Sequence, residues 1–89
     1  MKIKEGFILR SICGEFIVVG EGLDQVNFNK MLSLNESAAY LWKEVEGKDF
    51  TRDTLVQLLL DKYEVSREQA SQDVEKLVNT WIQEGVVQE

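Results

Sequence analysis

The run Leu34-Asn35-Glu36-Ser37-Ala38-Ala39-Tyr40-Leu41-Trp42 divides the chain into two kinds of structure. Before it, apolar residues come in short stretches rich in β-branched and aromatic side chains. From it onward they recur at helical spacing. Ala38, Leu41, Trp42 and Val45 stand at i, i+3, i+4 and i+7, which is one face of a helix. Two starts fit this helix. Asn35 serves as an N-cap if its side-chain oxygen accepts from a free amide of the first turn. Ser33 with Glu36 makes a rival capping box two residues earlier.

The first third reads as strands. Phe7 to Ile12 and Glu15 to Val19 flank Cys13-Gly14, a two-residue gap in which Gly14 takes positive φ without a Cβ clash, so a hairpin is expected. Gly20-Glu21-Gly22 breaks the second strand. Val26-Asn27-Phe28 and Met31-Leu32-Ser33 flank Asn29-Lys30, where two readings remain open. One is a second tight hairpin, for which Lys at the second turn position is poorer than Gly. The other is a single bent strand from Val26 to Leu32 with a bulge at Asn29.

Three helices follow. The first spans about Asn35–Glu46 and closes near Gly47, a left-handed C-cap. The second starts at Thr51, whose hydroxyl can cap it, with Phe50 and Leu55 spaced as a hydrophobic staple. Leu55, Leu58, Leu59 and Tyr63 form its core face. The third opens on the capping box Ser66-Arg67-Glu68-Gln69, with Val65 and Ala70 placed as the staple. Ala70, Val74, Leu77, Val78, Trp81 and Ile82 continue at helical spacing to Gly85. Val86-Val87 either adds a short strand or covers the core. Strands followed by helices, with a short turn between the last two, predict an α+β domain. Its type is winged helix-turn-helix-like, with three or four N-terminal antiparallel strands and then three helices.

Size and charge limit the function. The 89 residues make one domain, residues 1–89, with no proline and no linker. A chain this short buries roughly 60–65% of its unfolded surface, enough for one small core and not for a deep catalytic cavity. Met1-Lys2-Ile3-Lys4-Glu5-Gly6 is charged and has no apolar h-region, so no signal peptide is expected. With a single cysteine, Cys13, a cytoplasmic setting is the expectation. Residues 1–33 hold four basic and four acidic side chains, whereas residues 34–89 hold six basic and twelve acidic. The helical part therefore carries the whole net charge of −6. Duplex DNA is bound chiefly by basic residues that displace counterions, so an acidic helical half speaks against that use. It suits a protein or peptide partner of some basic character.

Catalytic constellations are missing from the sequence. The chain has no histidine, so it lacks the commonest general base and transition-metal ligand. Cys13 has no cysteine or histidine companion for zinc, and its default role is structural. Neither a Gly-x-Ser-x-Gly elbow nor a phosphate loop occurs. Glu44 with Glu46, and Asp73 with Glu75, are spaced at i+2 and point to different helix faces, so they form no acid/base pair. Asp73 next to core residue Val74 has two readings: a helix-surface hydrogen bond or ion pair, with Arg67 or Lys76 as possible partners, or a contact to a bound peptide. Trp42 and Trp81 lie at core spacing, where packing is the default. Phe28 and Met31 either bury under the helices or line a groove. The expectation is a non-enzymatic chain without cofactor or metal, and monomer and homodimer are both open.

Leu34-Asn35-Glu36-Ser37-Ala38-Ala39-x-Leu41-Trp42, then Gly47, Phe50-Thr51, Tyr63, Asp73-Val74 and Gly85-Val86-Val87, resembles the coenzyme PQQ synthesis protein D (PqqD) family. The resemblance runs from about Phe7 to Val87 and departs at Asn29-Lys30, where an Asn-Gly turn is expected. It implies the same winged architecture and a non-catalytic task. Such proteins hold the leader of a ribosomally made precursor peptide and deliver it to a modifying enzyme, often a radical SAM enzyme. It also implies a binding groove between the third strand, near Val26 to Leu32, and the third helix, Ser66 to Glu84. Val26, Asn27, Phe28, Met31 and Leu32 are the candidate contacts on the strand side. Asp73, Leu77 and Thr80 are those on the helix. The alternative is a winged-helix DNA-binding regulator that places the third helix in the major groove. Residues 66–84 hold Arg67 and Lys76 against Glu68, Asp73, Glu75 and Glu84, a net of −2 that repels phosphates.

Overall fold

In the computed structural model, which describes residues 1–20 and 31–88, the chain runs β1 (Lys2–Ile3), β2 (Phe7–Ile12), β3 (Glu15–Gly20), β4 (Met31–Leu34), α1 (Glu36–Val45), α2 (Arg52–Lys62), α3 (Arg67–Glu84) and β5 (Val87–Gln88). The architecture is the α+β, winged helix-turn-helix-like one that the sequence predicts. Strands β2, β3 and β4 form an antiparallel sheet in that order. Whether Val26 to Leu32 makes a hairpin or one bent strand falls mainly on residues outside those described.

The β2–β3 hairpin pairs Ile12 with Glu15 across Cys13-Gly14. Both turn residues are left-handed, Cys13 at φ 52° and Gly14 at φ 79°. Two positive φ values match a type I′ turn, whose twist suits the flanking strands. The sequence reading assigned positive φ to Gly14 alone. A cysteine there crowds its Cβ against the following carbonyl, whereas asparagine tolerates the conformation. Cys13→Asn is therefore expected to stabilise the protein by about 0.5–1 kcal/mol. A urea midpoint that stays put in that variant would show the turn to be unstrained.

Side chains alternate across the sheet. Leu9, Val18 and Leu32 are register partners in one row, and Phe16 and Leu34 are partners in the next. All five belong to the core or pack against it. The opposite face carries Ile8, which is 36% exposed, and Ile12. Over the inner face lie the helices, centred on Trp42 and Trp81. These two rings meet edge to face with centroids 5.3 Å apart, and Phe50 meets Trp81 in the same way at 6.4 Å. Both indoles are fully buried. Lys43 places its ammonium 5.1 Å from the Phe16 ring centre, which ties α1 to the sheet.

The helix starts follow their caps. Asn35 Oδ1 accepts from the Ala38 amide at 2.8 Å, so Asn35 is the N-cap of α1. The rival box at Ser33 does not form, because Ser33 lies inside β4 opposite Ile17. At α2, Thr51 and Thr54 exchange backbone-to-hydroxyl bonds of 3.1 and 3.2 Å, a reciprocal box that includes a residue the sequence reading did not use. At α3 only half of the expected box exists. Ser66 Oγ accepts from the Gln69 amide at 3.1 Å, but the Gln69 side chain turns forward to Asp73. Val65, expected to staple onto Ala70, is 37% exposed, and Ala70 is fully buried. Gly85, at φ 75°, ends α3; its amide reaches Ile82 O and the Val86 amide reaches Trp81 O, both at 3.0 Å. That is a left-handed helix stop.

A second, two-stranded sheet joins the ends of the described chain. β1 pairs with β5, with Lys2 opposite Gln88 and Ile3 opposite Val87. The Phe50 amide reaches Met1 O at 2.8 Å, and the Met1 ammonium donates to Phe50 O at 2.6 Å. Val86 and Val87 are both buried: Val86 covers the core just before the strand, and Val87 opens β5 while covering it too.

Candidate functional site: a groove between a strand edge and a helix

β4 is the last strand of its sheet. One edge pairs with β3, and no other described residue pairs with it. In an antiparallel strand successive residues turn their N–H and C=O to alternate sides. Two of the four residues of β4 thus face β3, and two offer their backbone groups outward.

Beside this edge runs α3. Asp73, Lys76, Leu77, Thr80 and Trp81 are spaced as one helical stripe. All five line a groove of about 410 Å³ together with Leu32, Ser33 and Leu34 of β4 and its neighbour Asn35. Ser37, Ala38 and Leu41 of α1, with Leu59 of α2, complete it. The adjoining stripe of α3 (Ala70, Val74, Val78 and again Trp81) is buried in the core. Trp81 is thus shared between core and groove. Leu41 and Leu59 are likewise core residues that the groove reaches.

The polar groups of the groove are arranged by the helices. Asn35 Oδ1 is held by Ala38 N and by Ser37 Oγ at 3.1 Å. Thr80 Oγ1 donates to Lys76 O at 3.0 Å, so its proton is committed to its own helix and its lone pairs remain to accept. Asp73 Oδ1 accepts from Gln69 Nε2 at 2.9 Å. This is the helix-surface hydrogen bond of the first reading of Asp73, made to Gln69 rather than to Arg67 or Lys76. The titrating phenol of Tyr40 lies outside the groove. It is pushed up by burial and then by the nearby Glu44 and Asp61 carboxylates. Among the described residues no group of three or more His, Cys, Asp or Glu side chains could hold a metal ion, and no helix is long and apolar enough to cross a membrane.

Of the residues singled out in the sequence, Leu32, Asp73, Leu77 and Thr80 come together in this groove. Met31 opens β4 opposite Val19. Val26, Asn27 and Phe28 lie outside the described residues. Sequence reasoning missed Ser33, Leu34, Asn35, Ser37, Ala38, Leu41, Leu59, Lys76 and Trp81 as groove residues. Lys76 and Trp81 were within reach, since they share the helical spacing of Asp73, Leu77 and Thr80. The leucines were not, because a core residue at a groove floor has the same pattern as any other core residue.

Fold and groove together define a small winged α+β domain in which a strand edge that no described residue pairs lies beside a helix. The profile of the family "Coenzyme PQQ synthesis protein D (PqqD)" matches residues 15–87, and the chain belongs to that family. Two solved structures share the fold. TbiB1 in complex with the TbiA(beta) leader peptide has a TM-score of 0.74 at 17% identity, covering 97% of this chain and 93% of that one. Lasso peptide synthetase B1 complexed with the leader peptide gives the same score and identity, covering 99% and 96%. At that identity the likeness is one of fold. Among curated proteins none matches the sequence.

Proposed function

We propose that this protein is a non-catalytic peptide-recognition element. In this reading it holds the leader of a ribosomally made precursor peptide along β4 and presents it to a modifying enzyme, of the radical SAM class, in the cytoplasm. The edge of β4 beside the α3 groove, which no described residue pairs, carries the proposal. Membership of the PqqD family supports it, as does the fold shared with two proteins solved with leader peptides bound.

The energetics require both parts of the site. An extended peptide added to β4 gains at most about four backbone hydrogen bonds, or about 2–6 kcal/mol net at 0.5–1.5 each. Micromolar affinity needs about 8 kcal/mol, and ordering a flexible chain costs about 2–5 more. The shortfall corresponds to about 300 Å² of apolar surface at 25 cal/mol per Å². One or two large apolar side chains seated between Leu32 and Leu77 would bury that area. Main-chain pairing then sets register, and the groove supplies most of the affinity.

The test is titration of labelled protein with synthetic leaders of precursor peptides encoded beside its gene. Amides of β4 and α3 should shift on binding; if they stay still, the site is elsewhere. For a leader that binds, methylating one backbone nitrogen at a time should weaken binding about two- to tenfold at every second residue and little between. A profile without that two-residue period would rule out strand addition.

A further inference from the structure

The groove carries two charged side chains among its lining residues, Asp73 and Lys76, and they are not paired with each other. They stand three residues apart on α3, where Cβ atoms lie about 5–6 Å apart. Even so, Asp73 takes its hydrogen bond from Gln69, and the Lys76 ammonium has no partner among the described residues. Both side chains are exposed. Lys76 is the more telling of the two, because it is a lone cation on a groove wall whose helix otherwise carries an excess of carboxylates.

An extended chain laid along β4 points every second side chain the same way, with about 6.6–6.8 Å between them. That repeat is close to the separation of Asp73 and Lys76 on the helix. We propose, resting on the peptide-binding reading above, that the two residues together form a charge-reading dyad. It selects a peptide segment with a basic and an acidic side chain two positions apart, the basic one against Asp73 and the acidic one against Lys76. Because the dyad is polar along the groove, it also fixes which way the peptide runs. A segment entering backwards sets like charges against each other, and such opposition discriminates between partners more than it adds affinity. The apolar floor tells large side chains from small ones but cannot tell one chain direction from the other. The rim supplies that information.

The experiment uses a phage-displayed library of random 16-residue peptides selected on immobilised protein. The baits are the wild type, the exchanged variant Asp73→Lys/Lys76→Asp, and the neutral variant Asp73→Asn/Lys76→Gln. Circular dichroism verifies that each variant keeps its helices, and the exposed positions make this the expectation. The wild type should enrich peptides with a basic and an acidic residue two apart in one N-to-C order. The exchanged variant should enrich the opposite order, and the neutral variant should lose the charge preference. For a selected peptide, reversing Asp73 alone should weaken binding about fivefold, as for rim ion pairs. Identical enrichment on wild type and exchanged variant, or enrichment without such a charge pair, overturns the dyad while leaving peptide binding intact. No enrichment above a bait-free control on any of the three overturns the peptide-binding reading and the dyad with it.

Discussion

Trp81→Ala will lower the melting temperature by about 15–30 °C. Removing a fully buried large aromatic costs about 3–5 kcal/mol, and each kcal/mol moves a domain of this size by about 4–8 °C. Trp81 meets both Trp42 and Phe50 edge to face, so its loss leaves two rings without their partner. The total stability expected for such a chain is about 4–13 kcal/mol, so a large share disappears at once. Trp81→Phe sharpens the test. The indole Nε1 is buried without a hydrogen-bond partner, so phenylalanine removes an unsatisfied donor while it keeps a ring. The phenylalanine variant should therefore lose clearly less than half of what the alanine variant loses, in calorimetry or urea unfolding. A melting temperature within 5 °C of wild type for Trp81→Ala would contradict the packing described for this core.

Leu77→Asp will separate binding from folding. Leu77 packs against the core from the groove side and is only partly buried. In the proposed complex a carboxylate there would displace an apolar anchor of the peptide and leave a charge facing it. The combined loss is about 2 kcal/mol or more, some thirtyfold in affinity. The fold should survive, since the new side chain can reach water. Isothermal titration with a bound leader, read beside thermal unfolding, checks both halves. Unchanged affinity in a folded Leu77→Asp protein would move the binding site off α3. Glu68→Ala, at an exposed position in the first turn of the same helix, serves as the control and should leave affinity unchanged.

Much of the fold was legible because it rests on local chemistry. Asn35, Thr51, Ser66 and Gly85 announce helix ends by hydrogen-bonding rules that act within four residues. The Cys13-Gly14 gap announces a hairpin for the same reason. The pairing of β1 with β5 was not legible from the β1 side. A two-residue strand has no periodicity, and its partner lies at the other end of the chain. The half-made box at Ser66 escaped because Gln69 had two acceptors within reach, and sequence does not say which wins. The groove was half visible. Asp73, Leu77 and Thr80 follow from helical spacing once the family pattern names the helix. Leu41, Leu59 and Trp81 are hidden among residues that pack the core, and only the placement of β4 beside α3 reveals their second role.

The small sheet made by β1 and β5 has a further consequence. Directly opposed residues of an antiparallel pair lie about 5 Å apart, so Lys2 and Gln88 are neighbours in space. A domain built this way can be spliced into a surface loop of a larger protein with hardly any separation of the host's own two stumps. A linker of a few glycines joining the ends, with new termini cut at the exposed turn between Ile12 and Glu15, should likewise yield a circularly permuted protein that still folds.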